Sequence, residues 1–456
     1  MKKYRFVHLI VALVLSLSLC ATPVVLASDT EMEIPTVAAQ SALLVDLNTN
    51  TIMLAQNAYS KQYPASLTKI MTALLVFEAI DAGTISLDQE VIISSTAMSG
   101  LSGTPSYADL RSGEVLTVFE LLECMLIVGA DEAAQALAET VSGSKEDFVA
   151  LMNQRATELG CTGTNYTNAT GLHNDEHYTT AWDLYLVAQE AVKHEDLVTL
   201  CDTVSTTIPT TNIKSERLLY TTNALLTQFR LIGYTYPAAD GLQSGYTEQA
   251  GYCLLTTAED GFLDVVSVVL GAERVAVDGG YQTQSYTETS ALLDWGFASF
   301  DFFTILETTE VLSEVPVTLS TEMNYVTLEP AQNIEVLLHK DMDLNAIERQ
   351  ITLYYDEVEA PIYEGDVLGE ITLSYEGLEY GTVDLIARHS VSASQRLLWQ
   401  QEVLAFIDAD WLLLGGIAIV ALILLVMGIR YLFTHRRYRY GKSVRHRDGN
   451  YHGRKR

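Results

Sequence analysis

Residues 411–429 form a run of nineteen positions without a charge, almost all of them apolar. A helix needs roughly 20 such residues to cross a bilayer. The run therefore splits the chain into parts that cannot share one solvent. The segment after it is basic: residues 430–456 hold ten Lys and Arg against one acid, Asp448, for a net charge of +9. Basic flanks mark the cytoplasmic end of a spanning helix. The sequence thus predicts a transmembrane helix at 411–429, a cytoplasmic tail at 430–456 and an extracytoplasmic body before them. The N-terminus agrees. Lys2, Lys3 and Arg5 precede an apolar run over residues 6–19, and Val25-Leu26-Ala27 offers a cleavage point. Residues 1–27 read as a secretory signal peptide. The expected location is the cell membrane, held by a single C-terminal span in contact with the lipid bilayer.

The outer part is strongly acidic. Residues 28–429 carry 14 Lys and Arg against 57 Asp and Glu, a net charge of −43. Such a surface repels nucleic acid, and a basic tail beside a span is accounted for by anionic lipid. No nucleic-acid partner is expected. Beyond Cys20 in the signal region, the cysteines are Cys124, Cys161, Cys201 and Cys253, with no Cys-x-x-Cys spacing. So few thiols in so large a body predict free buried cysteines, not a disulfide framework or a zinc site.

The pattern along the body falls into two parts. Residues 39–46 and 51–55 read as a hairpin. Helices are expected after Pro64, over 121–127 behind a capping box at Thr117 and Glu120, up to 141, over 144–159 and over 180–193. Strands at 252–257 and 263–270 follow, then a helix at 281–297. This is an α+β arrangement with helices packed on an antiparallel sheet. From 315 to 387 the pattern changes to short strands separated by turn residues, a small all-β unit. The expected organisation is a catalytic-type domain at 28–306, a β-domain at 307–392 and an amphipathic linker helix at 393–410. Residues 98–106, rich in Ser and Gly, read as a flexible loop at a cleft mouth.

The chemistry centres on Pro64-Ala65-Ser66-Leu67-Thr68-Lys69. Pro64 suits a first helical turn, where its missing N–H is not needed. Ser66 and Lys69 stand three apart, on one helical face, so the amine can reach the hydroxyl. A serine needs a base to become a nucleophile, and lysine serves as one only in its neutral form, which burial favours. Ser-x-x-Lys opens the motif set of penicillin-interacting serine enzymes. Two further elements are then expected: a polar triplet on the helical side and a Lys-Thr-Gly on a strand opposite. The places for them are Gly129-Ala130-Asp131 and Gln243-Ser244-Gly245. His173 and His177, four apart, have no neighbours to complete a metal site and read as loop or core-edge residues.

With Asn168-Ala169-Thr170-Gly171-Leu172-His173, the segment from Gly241 to Cys253, and Glu359-Ala360-Pro361 in the β-unit, the chain resembles low-molecular-weight penicillin-binding proteins. Within these it resembles the serine-type D-alanyl-D-alanine carboxypeptidase family, over about residues 35–392 in motif order. The resemblance implies a penicillin-binding transpeptidase/β-lactamase-like α+β domain, then a small all-β domain. It implies a serine D-Ala-D-Ala carboxypeptidase, a hydrolase of peptidoglycan pentapeptide stems in cell-wall maturation. β-Lactams would be covalent inhibitors, and no metal or organic cofactor is needed. Ser66, Lys69 and Asp131 become the catalytic group, and Gln243, Ser244 and Gly245 the substrate wall.

Two departures stand out. The family's second motif is Ser-x-Asn, and here Gly129 and Asp131 occupy its ends. Its third is Lys-Thr-Gly, and here Gln243 replaces the lysine that holds the substrate's carboxylate. Asp131 is expected to pair with Lys69 and favour its charged form. Loss of a charge-assisted hydrogen bond costs about 1.5–3 kcal/mol, roughly 10- to 100-fold. These changes motivate an alternative, a catalytically weakened peptidoglycan-binding or scaffolding homologue. A β-lactamase is disfavoured, since no glutamate is placed as a deacylating base.

Overall fold

The computed structural model describes residues 33–101, 108–408 and 410–440. The signal peptide expected at 1–27, residues 102–106 of the loop at 98–106, and residues 441–456 of the tail lie outside them. The described chain forms two compact units. The first ends at Phe303 and also includes Leu337–Met342; the second comprises Thr304–Val336 and resumes at Asp343.

The first unit is built on a five-stranded antiparallel sheet. Its strands are β1 (Ser41–Asp46), β2 (Ile52–Gln56), β3 (Ala239–Thr247), β4 (Gly251–Asp260) and β5 (Leu263–Ala272), in the order β2-β1-β5-β4-β3. Alternate residues serve opposite faces. Leu43 and Val45 of β1, with Val266 and Val268 of β5, join the large core. Leu44 and Val265 turn to the other face, against Leu293 and Trp295. Covered on both faces, β1 and β5 are apolar almost throughout instead of alternating.

Helix α1 (Thr68–Asp81) lies inside the large core, and residues 68–77 are all buried. A helix apolar all round belongs at the centre of a domain. Around it stand α2 (Val118–Val128), α3 (Asp131–Ser142), α4 (Lys145–Glu158), α5 (Ala181–Ala191) and α6 (Glu195–Asp202). The capping box starting α2 is formed: Glu120 N–H donates to Thr117 Oγ1 at 3.2 Å, and Thr117 N–H to the Glu120 carboxylate at 2.8 Å. Helix α7 (Gln284–Ser299) supplies Leu293 and Trp295. The four cysteines are free and buried.

Several boundaries shift for identifiable reasons. β1 begins at Ser41, not residue 39, because Ala38 and Ala39 N–H donate to the Glu288 carboxylate of α7 at 3.0 and 3.1 Å. α7 begins three residues late because Gly280–Thr283 first pairs with Arg274–Val277. Helix α6 has no counterpart among the helices expected from the sequence.

The second unit holds a six-stranded sheet. In chain order its strands are β6 (Ser313–Thr318), β7 (Tyr325–Pro330), β8 (Glu348–Leu353), β9 (Val358–Glu359), β10 (Val367–Tyr375) and β11 (Leu378–Ala387). Their spatial order is β8-β10-β11-β7-β6-β9, antiparallel except β6 with β9. Val315, Val326, Leu328, Ile371 and Leu385 are buried in it. Ile334–His339 is a strand, as expected, but stands outside this sheet. Helices α8 (Gln395–Asp408) and α9 (Asp410–Tyr440) follow. Within α9, Leu413–Thr434 is long and apolar enough to cross a membrane, with a mean hydropathy of 2.5.

Candidate active site

Ser66 does not sit in α1. It lies in a short 3-10 turn, Ala65–Leu67, that leads into the helix, with Pro64 as its cap. In such a turn residues i and i+3 eclipse, so the serine still points along the face that carries Lys69. Ala65 adopts a φ of 49°, a left-handed conformation that costs an alanine about 1–3 kcal/mol and persists only when its surroundings impose it. Those surroundings are visible. Thr68 Oγ1 donates to the Ala65 carbonyl at 2.9 Å. Gly171 lies so close that a Cβ there would fall 1.8 Å from the same carbonyl oxygen.

His177 completes the clamp. Thr167 N–H donates to its Nδ1 at 3.1 Å, and its Nε2 lies 2.9 Å from Thr68 Oγ1, whose proton already goes to Ala65. The imidazole is therefore neutral with its proton on Nε2. Burial, with His173 nearby, pushes its pKa down to about 4. His177 is a buried support of the turn that carries Ser66, in keeping with its reading as a core-edge residue. Among the described residues no cluster of His, Cys, Asp or Glu could hold a metal.

Lys69 is fully buried. Its Nζ is 3.0 Å from Ser66 Oγ, 2.8 Å from the Thr170 carbonyl and 2.7 Å from Asp131 Oδ1. Those are three acceptors for the three protons of an ammonium. The expected Lys69–Asp131 ion pair is thus formed. It arises because Gly129, at a φ of 71°, ends α2, and α3 restarts at Asp131. The Asp131 side chain is 14% exposed, enough to face the cavity.

The opposite wall is β3. As the edge of its sheet, it keeps one side free to pair with an extended peptide. Gly245 allows the close approach, since a Cβ there would meet Ser66 N at 2.7 Å. Gln243 is buried, its Nε2 donating to the Ser244 carbonyl at 3.0 Å while Oε1 has no protein partner. A Cβ at Gly129 would lie 3.9 Å from Gln243 Nε2. The two substituted motif positions therefore face each other. Between the walls is a cavity of about 580 Å³ lined by Ser66, Asp131, Gln243, Ser244 and Gly245, with Lys69 beneath. All six residues singled out in the sequence meet here. Sequence reasoning missed the Thr170 carbonyl, the Thr68–His177 clamp and Arg230, which also lines the cavity. Asn168–His173 stands out in the sequence only as a stretch, without roles for its atoms.

The chain is similar to known proteins. A family model described as D-alanyl-D-alanine carboxypeptidase matches residues 28–274, and one described as penicillin-binding protein 5, C-terminal domain, matches residues 300–393. D-alanyl-D-alanine carboxypeptidase DacF of Bacillus subtilis is 31% identical over 357 residues, 78% of this chain and 85% of that protein. DacC of Escherichia coli is 29% identical over 378 residues, 81% and 88% of the two chains. The crystal structure of penicillin binding protein 5 from Haemophilus influenzae superposes with a TM-score of 0.57 at 27% identity, covering 79% of this chain and 99% of that one.

Proposed function

The chain belongs to the D-alanyl-D-alanine carboxypeptidase family, and on that premise we propose which residues carry its reaction. It is a serine-type carboxypeptidase, a penicillin-binding protein of cell-wall metabolism. Ser66 Oγ attacks the carbonyl of the penultimate D-Ala of a peptidoglycan stem. Lys69, in its neutral form, takes the serine proton and passes it to the nitrogen of the departing terminal D-Ala. The ester left on Ser66 is then hydrolysed by water, which returns a proton to the serine. The Ser66 N–H, at the floor against Gly245, donates to the oxyanion, and the free edge of β3 at Gln243, Ser244 and Gly245 receives the peptide. Asp131 holds Lys69 in place. β-Lactams acylate the same serine.

The observation that carries this reading is the buried Lys69 amine 3.0 Å from Ser66 Oγ. It favours catalysis over a binding-only homologue, for which a buried lysine aimed at a serine has no use. The tail at residues 430–456, with its +9 charge, faces the cytoplasm by the charge rule, leaving the catalytic unit outside.

The test is intact-mass analysis after incubation with excess benzylpenicillin, beside a Ser66→Ala control. One adduct on the native protein and none on the control is expected, with free D-Ala released from a pentapeptide. Well-folded native protein that takes no adduct would falsify the Ser66 mechanism.

A further inference from the structure

A D-Ala-D-Ala stem ends in a carboxylate, and a site that cleaves it has to recognise that charge close to Ser66. Position 243 holds a neutral, buried glutamine whose Nε2 already donates to the Ser244 carbonyl. Lys69 lies below the floor, 2.7 Å from Asp131. Among the described residues lining the cavity, Arg230 is the one cation, and Asp131 is the one acid.

The segment bearing Arg230 is tied down on both sides. Phe229 stacks on Tyr220, ring centroids 4.0 Å apart and planes 15° from parallel. Leu231 packs against the apolar cluster of Ala224, Leu225 and Tyr286. Tyr286 also lines the cavity, as do Thr222 and Ser285. Two anchored neighbours thus hold position 230 on the wall it shares with Tyr286, beside neutral hydroxyl-bearing residues that suit an anion. A guanidinium is planar and always charged and can grip a carboxylate through two parallel hydrogen bonds.

We propose that Arg230 receives the terminal carboxylate of the substrate, in place of a lysine at position 243. The recognising charge comes from the loop after Tyr220, not from β3. This rests on the Ser66 acyl-enzyme reading and assigns the specificity of that same site.

The experiment compares second-order acylation of Ser66 by benzylpenicillin and by its methyl ester, in which the carboxylate is blocked. The readout is intact mass on the full chain. The native protein should prefer the free acid. A charge-assisted bond of this kind corresponds to about 10- to 100-fold, so Arg230→Gln should bring the acid-to-ester ratio down by that factor, close to one. Arg230→Lys should keep part of the preference. Adding Gln243→Lys to Arg230→Gln should restore it by returning a cation to the opposite wall, whereas a merely structural role for Arg230 would slow both probes alike. The proposal is overturned if Arg230→Gln leaves the ratio unchanged, if it slows both probes equally, or if the native protein shows no preference while still forming adducts. Absence of any adduct with either probe overturns the Ser66 reading itself, and this inference with it.

Discussion

Three acceptors around one lysine set the terms at the scale of single residues. Lys69 meets Ser66 Oγ, the Thr170 carbonyl and the Asp131 carboxylate within 3.0 Å. Asp131→Asn keeps an acceptor oxygen and removes the charge. Lys69 keeps its three acceptors, so Ser66 acylation is expected to persist, read from adduct formation over time; its loss would instead make the carboxylate part of the proton path. His177 gives a second prediction. Its pKa near 4 lies below the ordinary value of about 6.5, so the unfolded chain binds a proton that the folded chain refuses. Stability is complete above pH 6.5 and falls as pH drops toward 4, by about 3 kcal/mol at most. His173 beside it deepens the effect, and the Tyr166 ring edge packs 5.6 Å away. Melting temperatures between pH 7.5 and 4.5 should fall less steeply in His177→Gln, and parallel curves would remove His177 as the cause. The pair Ser66 and Lys69 was legible because the spacing of a motif survives the change from α-helix to 3-10 turn. The Thr170 carbonyl and Arg230 were not, because a backbone acceptor and a loop residue acquire roles only through tertiary proximity.

The elements of the sheet announced themselves through apolar runs, β1 and β5 above all, since burial on both faces leaves no polar alternation to misread. Their ends were harder. A strand stops where its N–H groups find another acceptor, as Ala38 and Ala39 do at Glu288, and that acceptor lies some 250 residues away in the chain. Edge strand β3 carries glycines and polar residues in place of an apolar run, so its extent did not stand out. One end of the same sheet gathers acids: Asp46 on β1, Asp240 on β3, Glu259 on β4 and Asp264 on β5. Glu259 and Asp264 are direct cross-strand partners, an arrangement that destabilises like charges. Burial first, then Asp240, Glu259 and Asp46, raises the Asp264 pKa to about 6. The sign is opposite to that of His177. The unfolded chain ionises near pH 3.8 and the folded chain only near 6, so the fold loses stability as pH rises through that window. Asp264→Asn should therefore raise the melting temperature at pH 7.5 and leave it nearly unchanged at pH 4; an equal shift at both values would point to packing in place of charge.

At the scale of the whole molecule, charge and hydropathy separate functions along the chain. The segment over residues 28–429 has a net charge of −43 and the tail one of +9. Anionic lipid headgroups repel the first and attract the second, so electrostatics alone would keep an acidic catalytic unit off the membrane that it has to serve. A helix long and apolar enough to cross a bilayer would resolve this, because hydrocarbon burial is indifferent to the sign of the charges it tethers. Leu413–Thr434, 22 residues with exposed apolar side chains, is about 33 Å long as a helix, matched to the hydrocarbon thickness. A chain ending at residue 408 should then appear in the soluble fraction and still take a Ser66 adduct, while the full chain stays with the membrane through high-salt washing. Salt separates the two kinds of attachment, since it screens attraction through the basic tail and leaves an inserted helix in place. A single cysteine placed at Ser443 should resist a membrane-impermeant thiol reagent in intact cells and react once the membrane is opened. Labelling in intact cells would place the tail outside and reverse the assigned orientation. Release of the full chain by salt would show attachment by charge alone, with no spanning helix.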